Sequence, residues 1–520
     1  MTTAVDPRTP IVVGVGQFAE RIDDADYRGL SAVELATAAA QAAVADTGVD
    51  AAAIADAIDT VAGVRQFEIS GPMFVAPLGK STNYPRSVAN RIGAAPAHAI
   101  LEVAGGQSPQ HLINELSATI AAGESEVAMV FGSEAISTVR HLAEAEDKPD
   151  FSETVDGQLE DRGYGLDGLV DRYTAGHGLV DAPTQYALFE NARRARLGSS
   201  PSQYAKEMGE LFAPFTKVAS ENRWAAAPVE RSADELVSVS ESNRMIAHPY
   251  PRLLVSRDQV NQGAAVLVMS VGAARRLGVP EAKWVFLRGH ADLREQNLID
   301  RPDLSRAPSA ATAVTEALRV AGIGLDDVAT FDFYSCFPIA VFNVCDGIGL
   351  APDDPRGLTV TGGLPYFGGA GNNYSMHAVA ETVAQMRSQP GRFGLVGANG
   401  GTLSKYSVGV YSTEPADWVA DDSAKLQDQI RRRPTTDVTV VADGWATVET
   451  YTVRYDRAGL TGIIVGRLES NGSRIVAATT DGDTTLLELL TDADPIGSRI
   501  WVQSFDYGNR ATLSPDSARQ

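Results

Sequence analysis

The sequence predicts an α/β protein made of two similar layered halves, with an α-rich segment inserted in the first and a small β-barrel added at the end. Three observations carry this. Residues 105–132, GGQSPQHLINELSATIAAGESEVAMVFG, form a glycine-turn, helix and strand unit. Leu112, Ile113, Leu116 and Ile120 recur at helical spacing, Gly123 closes the helix, and Val127 to Phe131 is an apolar run of strand length. The same layout returns from Gly368 and Gly369 through a helix containing His377 to a strand at 393–397, and VADTGVD at 44–50 is answered by VAGIGLD at 320–326. That is an internal duplication with a period too long for a solenoid. Beyond Glu414, short alternating strands replace the strand and helix alternation.

In order, the β-branched run 11–15 is a buried strand and 30–47 an alanine-rich helix. Residues 58–64 form the next strand, 87–92 a helix, and 100–103 a short strand leading into the first glycine turn. Alternation of this kind implies parallel strands joined by right-handed crossovers, with helices on both faces. Ser108 is placed to cap the helix and Pro109 fits its first turn. The helix N-terminus would favour an anionic or polarised ligand atom.

From Ala135 to Pro249 charges and helical patterns dominate, and residues 263–270 (GAAVLVMS) read as a strand returning to the first sheet. The domains are therefore 1–135 plus 251–280, an inserted domain 136–250, a second half 281–415, a linker 416–437 and a barrel 438–520. In the barrel, VTVVA, ATVETYTVRYD, GLTGIIVGRLE, SRIVAATT and SRIWVQS are the predicted strands, closing as an OB-like (oligosaccharide/oligonucleotide-binding type) barrel able to fold by itself.

With 520 residues the chain has length for two to three domains at about 150 residues each. A formal charge of −22, from 66 acids against 44 Lys plus Arg, argues against nucleic acid or an anionic membrane as a partner. Only two cysteines, Cys336 and Cys345, occur, and no long apolar run or signal peptide is legible, so a reducing cytoplasm is expected. No metal-ligand pattern stands out.

The phrases ELATAAAQAAVADTGVD, IAAGESEVAMVFGSEAIS and NQGAAVLVMS resemble the thiolase superfamily over roughly the first four fifths of the chain. LFENARRARLG and NRMIAHPYPRLL look most like its sterol-carrier-protein type, and the added C-terminal region resembles that of thiolase-like proteins of type 1. The resemblance implies a thiolase fold, an acyltransferase lineage in lipid metabolism, and coenzyme A or acyl-CoA as the ligand, with no permanently bound cofactor. It also implies a chain that is monomeric or pairs through the first-half sheets.

Motif by motif, however, the family's chemistry is replaced. The acylated cysteine falls on Gly106, which has nothing to acylate; neighbouring Ser108 is a poor nucleophile without a base. The activating histidine falls on Gly369. His377, the nearest imidazole, is either a packed histidine or a base. The third motif reads Tyr334, Ser335, Cys336, Phe337, so Tyr334 either donates to a thioester oxygen or fills the space left by lost groups. Cys336 and Cys345 read as buried small hydrophobes. The second cysteine, a general acid, falls on Asn399, which cannot shuttle a proton at neutral pH.

The resulting substrate-binding set is Gly105, Gly106, Tyr334, Gly368, Gly369, Asn399 and Gly400, with free N–H groups of both glycine turns facing one cleft between the halves. The family's pantetheine serine falls on Asp258. Arg193, Arg194 and Arg196 either meet nucleotide phosphates or form a solvated helix face. Three functions follow: handling of acyl-CoA or a related acyl thioester without the cysteine mechanism; a non-catalytic binding or scaffold role in lipid or steroid metabolism with a protein partner; or an enzyme with replaced chemistry using Tyr334, Cys336 or His377, with Ser108 a further catalytic candidate.

Overall fold

The computed structural model describes residues 5–166, 169, 171–457, 459–480 and 482–515. The first half contributes strands β1 (Pro10–Ala19), β2 (Thr60–Gly63), β3 (His98–Leu101), β4 (Val127–Glu134) and, after the insertion, β8 (Gln262–Ser270). The insertion contains β5 (Glu160–Asp161), β6 (Met245–Ala247) and β7 (Tyr250–Pro251). The second half holds β9 (Val285–Arg294), β10 (Val328–Phe333), β11 (Phe393–Gly400) and β12 (Lys405–Ser412).

The duplication is visible in the hydrogen bonding. β1 pairs antiparallel with β8, β8 antiparallel with β4, and β4 parallel with β2. In the second half β9, β12, β11 and β10 repeat those relations in the same order. The sheets are thus mixed rather than parallel throughout, because the strand that returns from the insertion, and its counterpart β12, run against both neighbours. The two half-sheets also join edge to edge, Ile11 opposite Phe286 and Val12 opposite Val285, making one ten-stranded sheet.

The central helices Ser108–Ala122 and Tyr374–Ser388 share one buried cluster, in which Leu112, Ile113, Leu116 and Ile120 meet Met376, Val379, Val383 and Met386. Alanine-rich helix Ala32–Asp46 covers the outer face of the first half, and helix Pro308–Ala321 covers that of the second. Gly14, Gly16 and Gly289 let β1 and β9 approach these helices: a methyl group on Gly16 would stand 2.0 Å from the Ala39 carbonyl oxygen.

The C-terminal strands β13 (Gly444–Asp456), β14 (Gly459–Leu468), β15 (Arg474–Thr479), β16 (Arg499–Phe505) and β17 (Gly508–Thr512) close in the order β13-β14-β15-β17-β16 back to β13. With β15 parallel to β17 and helix Thr484–Asp492 between β15 and β16, this is the OB-like barrel. VTVVA forms no strand: only Val438 bridges to Arg474, and Val440 and Val441 are exposed. β17 and the helix carry a weaker pattern than the other elements and were not legible in the sequence.

The barrel is fixed to the body. Ile463, Val465 and Val476 on its outer face belong to the second half's core cluster, and the β6–β7 hairpin extends its sheet at Arg454. Buried Arg474 donates to the carbonyls of Ile299 (2.8 Å) and Arg301 (2.5 Å) while pairing with Glu449. The linker is packed as well: helix Ser423–Arg431 lies on β9, with the Ser423 hydroxyl accepting from the Asp292 N–H.

Candidate active-site cleft

A cleft of about 800 Å³ opens where the two halves and the insertion meet. Gly105, Gly106, Tyr334, Gly369, Asn399 and Gly400 line it, as the motif reading predicted, together with Cys336. Gly368 does not. It packs against Val260 and Gln262, so that a side chain there would enter the first-half strand rather than the cleft.

At Gly106 the site is filled from the opposite half. A methyl group on Gly106 would stand 2.3 Å from the Tyr334 ring and hydroxyl. The tyrosine therefore occupies the volume a nucleophilic side chain would need, and it is held by a backbone bond from its N–H to the Gly397 carbonyl (2.9 Å) and an edge-on contact with Tyr374. Burial raises its pKa well above the ordinary tyrosine range, so its hydroxyl stays protonated. At Gly369 the corresponding volume is taken by Ser256, whose Oγ lies 2.2 Å from where a methyl group would be. Ser256 lies in the segment returning from the insertion, and no sequence pattern marks it.

The expected set of free N–H groups is partly spent. Gly105 donates to Asn372 Oδ1 (2.9 Å), and Gly369 donates to the Arg257 carbonyl (2.7 Å). Asn372, anchored in turn through its amide nitrogen to the Arg65 carbonyl (2.7 Å), is a bracket between the halves. Ser108 is not the cap the sequence suggested. It begins the helix, its hydroxyl donates to the Val103 carbonyl (2.8 Å), and its full burial outside the cleft removes it as a nucleophile.

His377 is also remote from the cleft. Its Nδ1 meets Gln17 Oε1 at 2.7 Å, Phe367 packs edge-on to its ring, and burial lowers its pKa to about 3, so it is a neutral packed histidine. Cys336 reaches the cleft, but burial pushes its thiol up to about 12, which leaves almost no thiolate at neutral pH. Cys345 is buried in the helix Pro338–Ile348.

Asn399 is held by Tyr186. The Tyr186 hydroxyl donates to the Gly401 carbonyl (2.8 Å) and accepts from Asn399 Nδ2 (2.9 Å). Phe67, Phe74, Ile136, Leu166, Leu169 and Phe337 supply the apolar walls. Glu68, Asp181 and Asp258 make them acid-rich against Arg140, the single lining cation among the described residues, which is paired with Asp258 (2.5 Å). Burial, opposed by nearby Lys80, raises Glu68 to about 7.

The arginine run is neither a phosphate site nor a solvated face. Arg193 makes a bidentate pair with Asp346 (2.9 Å each), Arg196 joins the same carboxylate, and Arg194 makes a bidentate pair with Asp494 of the barrel (2.7 and 2.8 Å). All three tie helix Ala182–Leu197 to its neighbours. Among the described residues, Glu102, His111 and Glu115 are the group close enough to hold a metal ion, but Arg162 bonds both carboxylates.

The mixed half-sheets, their shared helical layer and the cleft between them define a thiolase-fold protein. A crystal structure of a monomeric SCP2-thiolase like protein type 1 from Mycobacterium smegmatis is 57% identical to this chain, covering 98% of it and 100% of that chain, with a TM-score of 0.85. The chain belongs to that family, the thiolase-like proteins of type 1. The family model for the thiolase-like protein type 1 additional C-terminal domain matches residues 425–506. Human mitochondrial 3-ketoacyl-CoA thiolase (17% identity, 78% of this chain, 100% of that one, TM-score 0.55) and acetyl-CoA acetyltransferase from Syntrophomonas wolfei (15%, 78%, 99%, 0.54) share the fold of the body. Among curated proteins no match is found.

Proposed function

We propose that this chain binds an acyl thioester, coenzyme A-linked or related, in the cleft without forming an acyl-enzyme, as a member of the acyltransferase lineage acting in cytoplasmic lipid or steroid metabolism. The observation that carries this reading is the Tyr334 ring in the side-chain volume of Gly106: the cleft is kept, and the place of the nucleophile is closed. Gly369 and Asn399 remove the activating base and the proton donor that the cysteine route requires. Apolar walls suit an acyl chain, and Asp181, with Glu68 only partly ionised at neutral pH, favours a carrier less anionic than a nucleotide.

Calorimetric titration with octanoyl-CoA and octanoyl-pantetheine, followed by intact-mass measurement, tests it. Saturable binding with unchanged mass is the expected result. A covalent acyl adduct, or binding of neither compound, overturns the reading. In the second case a protein-binding role gains support from Met73, Phe74 and Val75, which stand 83%, 54% and 79% exposed beside the cleft mouth.

A further inference from the structure

Asn399 leaves one polar atom unspent. It is 3% exposed, and its Oδ1 has no hydrogen-bond partner among the described residues. The orientation of the amide is fixed by its neighbour. Tyr186 commits its only proton to the Gly401 carbonyl and can meet Asn399 only by accepting from Nδ2. The opposite atom must therefore be the carbonyl oxygen, an acceptor, in a residue that lines the cleft. A buried acceptor with no donor is costly, and its usual explanation is a group that the site is built to receive.

The position of that acceptor relative to Gly106 sets what it can read. Asn399 precedes Gly400, and a methyl group on Gly400 would stand 3.1 Å from the Gly106 backbone nitrogen. An acyl group seated with its carbonyl at Gly106 thus presents its first few carbons to Asn399, with the Tyr334 and Ser256 hydroxyls in the same cleft. A ketone at that place offers only lone pairs and would oppose the Asn399 oxygen. A hydroxyl donates to it and can still accept from Tyr334 or Ser256.

Resting on the acyl-binding reading above, we infer that the cleft is selective for an acyl ligand carrying a hydroxyl near its thioester end, with Asn399 Oδ1 accepting from that hydroxyl. Asn399 is the specificity-determining residue. A competing use of the same atom is a bound water: a void of about 10 Å³ behind Asn399 is also lined by Tyr406, whose hydroxyl is likewise without a partner among the described residues. A water there would satisfy Asn399 with no ligand and would remove the selectivity.

The test uses the full-length protein and three thioesters of N-acetylcysteamine: 3-hydroxyoctanoyl, 3-oxooctanoyl and octanoyl. Calorimetry is expected to show the hydroxyacyl compound binding at least about tenfold more tightly than the other two. In Asn399→Leu, checked for folding by its melting curve, the ratio of hydroxyacyl to octanoyl affinity should fall to about one, whatever the absolute affinities; a ratio that stays at about tenfold overturns the assignment to Asn399. Equal affinity of the three for the unmodified protein overturns the inference and leaves acyl binding standing, and this comparison needs no variant. Tighter binding of the 3-oxo compound overturns it as well. Absence of binding by all three overturns both readings together.

Discussion

Gly106 and Tyr334 are one feature seen from two halves of the molecule. The tyrosine ring of one half fills the space that any side chain at position 106 of the other would need. Gly106→Cys should therefore not form an acyl-enzyme. Its new side chain must displace the ring, a kind of overpacking that costs about 1–3 kcal/mol. The expected outcome is a lower melting temperature and no mass increase after incubation with acyl-CoA; an acyl group mapped by peptide mass to the introduced thiol would show that no second group is required.

His111 gives a pH-dependent counterpart. Burial opposes its charge, but the Asp292 hydrogen bond and the charges of Asp292, Glu102 and Glu115 outweigh burial and raise its pKa to about 9 from an ordinary value near 6.5. Because the folded value is the higher one, its stabilisation is complete below about pH 6.5 and is lost as pH rises through about 9. His111→Gln should melt below the parent protein at pH 6, and the gap should shrink by pH 10. A gap that is constant over this range would mean that packing, not charge, is what His111 provides.

At the scale of elements, the helices owe their positions to side chains that sequence patterns describe only in part. The central helix Ser108–Ala122 begins where its glycine turn and Pro109 indicate, yet no side chain caps its first turn. Its N-terminus is instead set by the bracket of Asn372 on Gly105 and by Ser375, whose hydroxyl donates to the Gly106 carbonyl at 2.6 Å. The barrel depends similarly on single contacts with the body. Arg474 is fully buried with four hydrogen bonds to Glu449, Ile299 and Arg301. Removing it strands those acceptors, so Arg474→Ala is expected to cost about 3–5 kcal/mol, measured as a shift of the urea unfolding midpoint. A change under about 1 kcal/mol would show that the barrel is held mainly by its apolar face.

For the whole molecule, the edge of the large sheet bears on whether the chain stands alone. β3 would be an open edge, but β5 from the insertion pairs with it at Ile100 and Leu101, and the Arg162 N–H donates to the Leu101 carbonyl at 3.1 Å. Arg162 locks this cover through Glu102 and Glu115. A monomer is the expected result from light scattering coupled to size exclusion, in keeping with the monomeric relative from Mycobacterium smegmatis; a stable dimer would require another face. The barrel, excised from residue 438 onward, would bare Ile463, Val465 and Val476. It should melt well below the full chain, and equal melting temperatures would show that the docking adds nothing to its stability.

The duplication, the return of the insertion into the first sheet, the barrel, and the glycine and asparagine at motif positions 106, 369 and 399 are all legible in the chain without coordinates. These follow from periodicity, glycine turns and residue identity, which are local properties. What fills Gly106 and Gly369 is not legible, because Tyr334 and Ser256 arrive from segments more than a hundred residues away on either count. Nor is the role of the arginine run, since a helix can show three cations at one spacing whether they face solvent or Asp346 and Asp494. Strand direction is not legible for the same reason: β8 returns through an insertion of free length, and only packing against β1 and β4 decides which way it runs. Distant occupancy, partner choice and direction depend on how separated segments meet in space, which no local pattern records and the folded chain alone settles.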